Sequence, residues 1–197
     1  MVTNVVPFKK KEEPLSGRSD DELMLLSSAG TREAFEELVR RHARRVVAFC
    51  AKHVGDRSFG EEMAQEIWLS VWDHRTAYRP EGKFLGWLFT LARNRVRNAR
   101  RDGARFSVLA HIEDSPAEAL DLSPSEVDRL LMAERRARVD RALSNISETL
   151  REAVILRFAQ ELPYDEVARV LETSESTARS RVFHGLRELR RRLRGES

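Results

Sequence analysis

Apolar residues recur every three or four positions from Leu23 to Leu193, and no segment alternates with a period of two. That pattern admits amphipathic helices and excludes a sheet, so the chain is expected to be all-α. Start and stop signals divide it. Ser19-Asp20-Asp21-Glu22 is a capping box that opens a short helix, and Gly30 closes it. Thr31 is expected to cap a longer helix that ends at Gly55. A third helix is expected from about Gly60 to His74, and a loop from His74 to Lys83 carries Pro80 and Gly82. Phe84 to Asp102 reads as a fourth helix. In the C-terminal half, helices are expected from about Leu130 to Leu143 and, capped by Ser147, from Glu148 to Ala159. Pro163 marks the first turn of a short helix ending near Leu171, and Ser174 caps a last one that reaches Leu193.

Charge is distributed more sharply than the net value of +3 suggests. Met1 to Arg105 carries +5, Phe106 to Asp128 carries −6 with no Lys or Arg, and Arg129 to Ser197 carries +4. Two basic segments on either side of an acidic, Ser/Pro-containing one read as two small domains and a linker. The expected division is a disordered tail over 1–18, a first domain over 19–105, a linker over 106–129 and a second domain over 130–197. Clusters such as Arg93 to Arg105, with six arginines, suit a polyanion, because each neutralised phosphate releases counterions. No apolar run reaches the ~18–20 residues of a membrane span, and one cysteine fits a reducing compartment. The chain is therefore expected in the cytoplasm.

Two helices joined by a short turn, the second strongly basic, form a helix-turn-helix signature near the C-terminus. A predicted buried stripe of Ala178, Val182, Leu186, Leu189 and Leu193 turns Arg179, Phe183, His184 and Arg187 toward a groove. Arginine grips phosphate or pairs bidentately with guanine, and Phe183 suits a thymine methyl. Ser174, Ser176 and Thr177 offer hydroxyls and free N–H groups at the helix start. In the N-terminal half, Glu62, Gln65, Glu66 and Leu69 share one helix side, poor for DNA and suited to a basic protein. The helix FLGWLFTLARNRVRNARR presents Asn94, Arg97, Asn98 and Arg101, and the loop before it, from Tyr78 to Lys83, is placed to receive an unstacked base. Phe84, Trp87 and Phe89 are expected in the core.

The stretches GEEMAQEIWLSVW, FLGWLFTLARN and LPYDEVARVLETSESTARSRVFHGLRELRRRL resemble the two conserved regions of extracytoplasmic-function sigma factors of the sigma-70 family, over about residues 19–105 and 130–194. The resemblance implies a transcription initiation factor for bacterial core RNA polymerase. It implies that Glu62, Gln65 and Glu66 lie in the helix that binds the β′ clamp helices. Asn94 and the Tyr78–Lys83 loop would capture a base of the −10 element. Arg179, Ser180, Phe183 and His184 would read the −35 element, with the second domain docked on the β flap. An anti-sigma factor is the implied inhibitor, able to hold the chain at the membrane. Two departures stand out: Glu172 where the helix turn often carries glycine, which would strain a left-handed backbone, and His184 where arginine or lysine is common.

Other readings are a stand-alone helix-turn-helix regulator with an N-terminal sensor or dimerisation module, and a helical adaptor without DNA affinity. Cys50, His53 and His42 share a helix face, but three ligands on one helix lack the geometry of a zinc site, and no metal, cofactor or catalytic motif is expected.

Overall fold

The computed structural model describes residues 14–101 and 126–195, and the expected linker core and residues 1–13 lie outside these. Among the described residues every regular element is helical: α1 (Asp20–Ser28), α2 (Arg32–Val54), α3 (Arg57–His74), α4 (Phe84–Arg101), α5 (Glu126–Ser144), α6 (Glu148–Val154), α7 (Tyr164–Val170) and α8 (Glu175–Arg194). A π-helical turn, Ile155–Ala159, continues α6, so the continuous helix expected over 148–159 changes its winding half-way. No described helix is long and apolar enough to cross a membrane.

The capping box forms as predicted, with Ser19 Oγ accepting from Glu22 N–H and the Glu22 carboxylate accepting from Ser19 N–H at 2.7 Å. Four other caps and starts differ from expectation. Thr31 and Ser147 make no side-chain cap. Pro163 occupies the N-cap itself, one residue before the first turn. The third helix begins at Arg57, because the Asp56 carboxylate accepts from Phe59 N–H at 2.7 Å and caps it there. Gly60 is thus an interior helical residue, chosen by packing rather than by a helix start. A Cβ at Gly60 would lie 2.8 Å from the backbone nitrogen of Ala51, so glycine lets α3 lie directly on α2. Residues 14–18 are also ordered, contrary to the disordered tail expected over 1–18. The guanidinium of Arg41 donates to the carbonyls of Leu15, Ser16 and Arg18 and pairs with Asp20 at 3.0 Å, strapping this segment to α2.

Helix α2 is the axis of the N-terminal half, packed by α1, α3 and α4. Leu38, Val46, Phe49, Met63, Ile67, Leu88, Phe89 and Ala92 are wholly excluded from water or nearly so. Phe49 meets Phe89 at 5.3 Å between centroids, and Phe35 meets Trp72 edge-on at 5.0 Å. Phe84 and Phe89 are core residues as predicted, while Trp87 is half-buried. The C-terminal half places α6, α7 and α8 around Leu156, Leu162, Val167, Val170, Ala178 and Val182, and this core is continuous with that of the N-terminal half. A smaller cluster of Leu143, Ile146 and Val154 seats α5.

The expected stripe on α8 is corrected at one point. Ala178 and Val182 are buried, but the next buried residue is Gly185, and Leu186 is exposed. A Cβ at Gly185 would meet Val154 at 2.6 Å and the Leu150 carbonyl at 3.1 Å, so α8 crosses α6 at the glycine and Leu186 is turned outward.

Gly60→Ala should lower stability by about 1–3 kcal/mol although alanine favours a helix, because the obstructing atoms are backbone and cannot swing away. A urea midpoint below that of the wild type checks this.

Candidate nucleic-acid interface

The exposed side of α4 follows from its buried one. Leu88, Ala92, Val96 and Ala99 face inward, and Asn94, Arg97, Asn98 and Arg101 all lie exposed. The loop before α4 is fixed by a residue the sequence reading missed. Asp21, in the first turn of α1, accepts from the Tyr78 hydroxyl at 2.6 Å and from Gly82 N–H at 2.6 Å. Its place in an acidic helix start already explained its sequence, so no signal marked this second role. Tyr78 is half-buried, with its ring edge-on to Trp87 at 5.1 Å. Burial and the bond to Asp21 raise its hydroxyl pKa. The loop is therefore preformed, and the Tyr78 ring is spent on holding it to α4. Lys83 ends the loop 3.2 Å from Asp165 of α7.

On α3, Glu62, Gln65, Glu66 and Leu69 are all exposed on one side, Leu69 at 64%. Glu66 pairs with Arg95 of α4, and that hydrogen bond holds its carboxyl below the usual range. The acidic face is thus tied at one edge to the basic helix beside it.

In the C-terminal half, Ser174 caps α8 by accepting from Thr177 N–H at 3.2 Å. The hydroxyls of Ser176 and Thr177 lie 3.0 and 2.8 Å from the same Ser174 oxygen, so the three predicted phosphate-facing groups form one hydroxyl cluster at the helix start. Arg179 pairs with Glu175 at 2.5 Å, and its guanidinium carbon lies 4.3 Å from the centre of the Tyr164 ring, which holds it against α7. Ser180, Phe183, His184 and Arg187 are exposed, Phe183 at 62% with its ring edge-on to His184 at 5.4 Å.

The turn between α7 and α8 has the strain expected of Glu172, whose φ is +53°. Glu172 N–H donates to Arg169 and Thr173 N–H to Ala168, the pairing that also ends α1 around Gly30 at φ +100°. One motif is built once on glycine and once on glutamate.

His42, Cys50 and His53 face the core separately. His42 Nε2 lies 2.8 Å from Asp20, and His53 donates from Nδ1 to the Phe49 carbonyl at 2.8 Å. Burial pushes the Cys50 thiol up to about 12, partly offset by Arg95.

The family model for sigma-70 region 2 matches residues 38–106, and that for sigma-70 region 4 matches residues 136–189. The RNA polymerase sigma factor CarQ of Myxococcus xanthus is 34% identical over 164 residues, covering 83% of this chain and 91% of CarQ. The chain belongs to the sigma-70 family. It is a transcription initiation factor of the extracytoplasmic-function group. A second sigma factor, SigK of Mycobacterium ulcerans, is 34% identical over 182 residues, covering 88% of this chain and 94% of SigK. Among solved structures, CnrH in complex with the cytosolic domain of CnrY superposes with a TM-score of 0.67 at 21% identity, covering 90% of this chain and 99% of CnrH. The sigma factor RpoE in complex with the anti-sigma factor NepR from Bartonella quintana gives 0.64 at 22%, covering 83% and 98%. At these identities the two share its fold. In this sigma factor, region 2 runs from within α2 to five residues past α4, and region 4 from within α5 into α8.

Burial holds His53 neutral, with a pKa lowered to about 4, and the cations Arg100, Arg151 and Arg93 nearby add to that. The unfolded chain takes up this proton first, near the ordinary 6.5, so the neutral ring contributes fully above pH 6.5. That contribution is lost as pH falls toward 4, by about 3 kcal/mol in total. Urea unfolding between pH 7 and 4 should therefore fall more steeply for the wild type than for His53→Gln.

Proposed function

We propose that this sigma factor places core RNA polymerase on promoters by presenting two separate reading surfaces and catalyses nothing itself. Its first domain binds the β′ clamp helices through Glu62, Gln65, Glu66 and Leu69. Next to that face, Asn94 and the loop from Tyr78 to Lys83 take a base of the opened −10 strand, while Arg97, Asn98 and Arg101 follow its backbone. The second domain docks on the β flap and reads the −35 duplex. Arg179, Ser180, Phe183, His184 and Arg187 face the major groove, and the Ser174, Ser176 and Thr177 cluster meets phosphate. An anti-sigma factor controls access to these faces, in the cytoplasm or from the membrane.

The observation that carries this reading is the exposure of all four polar residues on α4 beside a loop already pinned by Asp21. A preformed loop next to exposed Asn and Arg groups suits an unstacked base, because its ordering cost is met during folding.

Transcription in vitro with purified core polymerase on a promoter library tests the function and returns both element preferences. Arg179→Ala should reduce −35-dependent initiation about tenfold or more, the discrimination of one bidentate base contact, with core association unchanged. Equal loss of both, or tight promoter-specific binding by the free chain, would refute this division of labour.

A further inference from the structure

Helix α1 supplies no residue to either reading surface, yet the loop assigned above to the −10 strand is mounted on it. Both ends of α1 hold the segment that leads into α4. The Ser28 hydroxyl donates to the Arg75 carbonyl, in the short 3-10 turn Arg75–Ala77 that follows α3. Asp21 accepts from the Tyr78 hydroxyl and from Gly82 N–H, both at 2.6 Å. Positions 21 and 28 are two helical turns apart, so both side chains leave α1 on the same side. The helix is fixed in turn on α2, where Asp20 pairs with Arg41 at 3.0 Å and lies 2.8 Å from His42.

Asp21 grips the loop with its two oxygens separately, Oδ1 on Tyr78 and Oδ2 on Gly82. One carboxylate therefore draws positions 78 and 82 together, and Arg79, Pro80 and Glu81 between them close into a tight arc. Glu81 N–H donates back to the Arg79 carbonyl at 3.0 Å around Pro80. Gly82 takes φ +70°, where any other residue would be strained. Every residue from Arg79 to Gly82 is exposed. The Tyr78 hydroxyl gives its single proton to Asp21, and its ring lies edge-on to Phe84 at 6.0 Å as well as to Trp87. What the loop offers an incoming base is thus its tip, and the shape of that tip is set from α1.

We propose that Asp21 is a positioning residue for −10 selection: by holding Tyr78 and Gly82 on one carboxylate, it fixes the tip from Arg79 to Glu81 in the one shape that accepts the preferred base. The proposal rests on the promoter reading above. A rigid polar site rejects a base whose edge leaves its groups unpaired, whereas a loop free to re-form around each base discriminates little. Loss of Asp21 should therefore relax the choice of base rather than remove binding to polymerase.

The test is transcription by core polymerase and the full chain on promoters randomised through the −10 element, with wild type, Asp21→Ala, Tyr78→Phe and the double variant. Tyr78→Phe keeps the ring and removes only the hydroxyl. In Asp21→Ala, preference at one −10 position should fall about tenfold, the scale of one well-paired base contact. Tyr78→Phe should lose less, because the Gly82 bond remains. The double variant should match Asp21→Ala, since the hydroxyl acts only through the carboxylate. Preference at −35 and binding to core polymerase should stay at wild-type values. Gly60→Ala, at the far end of α3, lowers stability away from the loop and should leave the ranking of −10 bases unchanged. A wild-type ranking retained by Asp21→Ala and Tyr78→Phe overturns the proposal. So does an equal loss of −35 preference, or a double variant that multiplies the two single losses, since the hydroxyl would then meet the base itself. Absence of any −10 preference in the wild type would overturn the promoter reading, and this proposal with it.

Discussion

A buried carboxylate seated on the first turn of a helix from the other half of the chain sets the arrangement of this molecule. Glu166 reaches Gly86 N–H only because position 86 has no side chain, and burial raises its pKa. A lone buried charge of this kind would be costly, but the helix start supplies both a donor and a favourable partial charge. With α7 held there, Arg93 falls beside Glu152 in a pair that is almost fully enclosed, with 11% and 5% of the two side chains exposed. The remaining ion pairs between the halves, such as Lys83–Asp165, are more open and contribute less each. Position is therefore set by two enclosed polar contacts and a shared apolar core, and the outer charges select which faces meet.

Helical periodicity made the fold legible, since an apolar residue every three or four positions leaves no other way to bury it. The capping box at Ser19, the caps at Gly55 and Ser174, and the strained turn at Glu172 were readable because each depends on local chain chemistry. What escaped the sequence was distance between helices. Gly60, Gly86 and Gly185 look like weak points in helices or like boundaries. In the structure each marks a place where another element comes too close for a Cβ. Gly185 displaced Leu186 from the predicted stripe for that reason. No periodicity reports such contacts, because they depend on the partner element.

The candidate site was readable to a similar depth. Spacing alone placed Asn94, Arg97, Asn98 and Arg101 on one exposed side of α4, and Arg179 and Phe183 on the outer side of α8. Their partners were not readable. Asp21 lies 57 residues from Tyr78 in sequence, and Tyr164 beneath Arg179 belongs to the preceding helix. Second-layer residues carry no pattern of their own, since one hydrogen bond or one ring face is enough to fix their role.

Because both halves belong to one chain, the strength of their contact is judged against a tether rather than a solution concentration. A connection of 24 residues, from 102 to 125, keeps each half within reach of the other whatever the protein's concentration. Two separate proteins joined by the same mostly half-exposed ion pairs would hardly associate at cellular concentrations. Within one chain the same pairs suffice, and any competitor for these faces has to outbid a neighbour that never diffuses away.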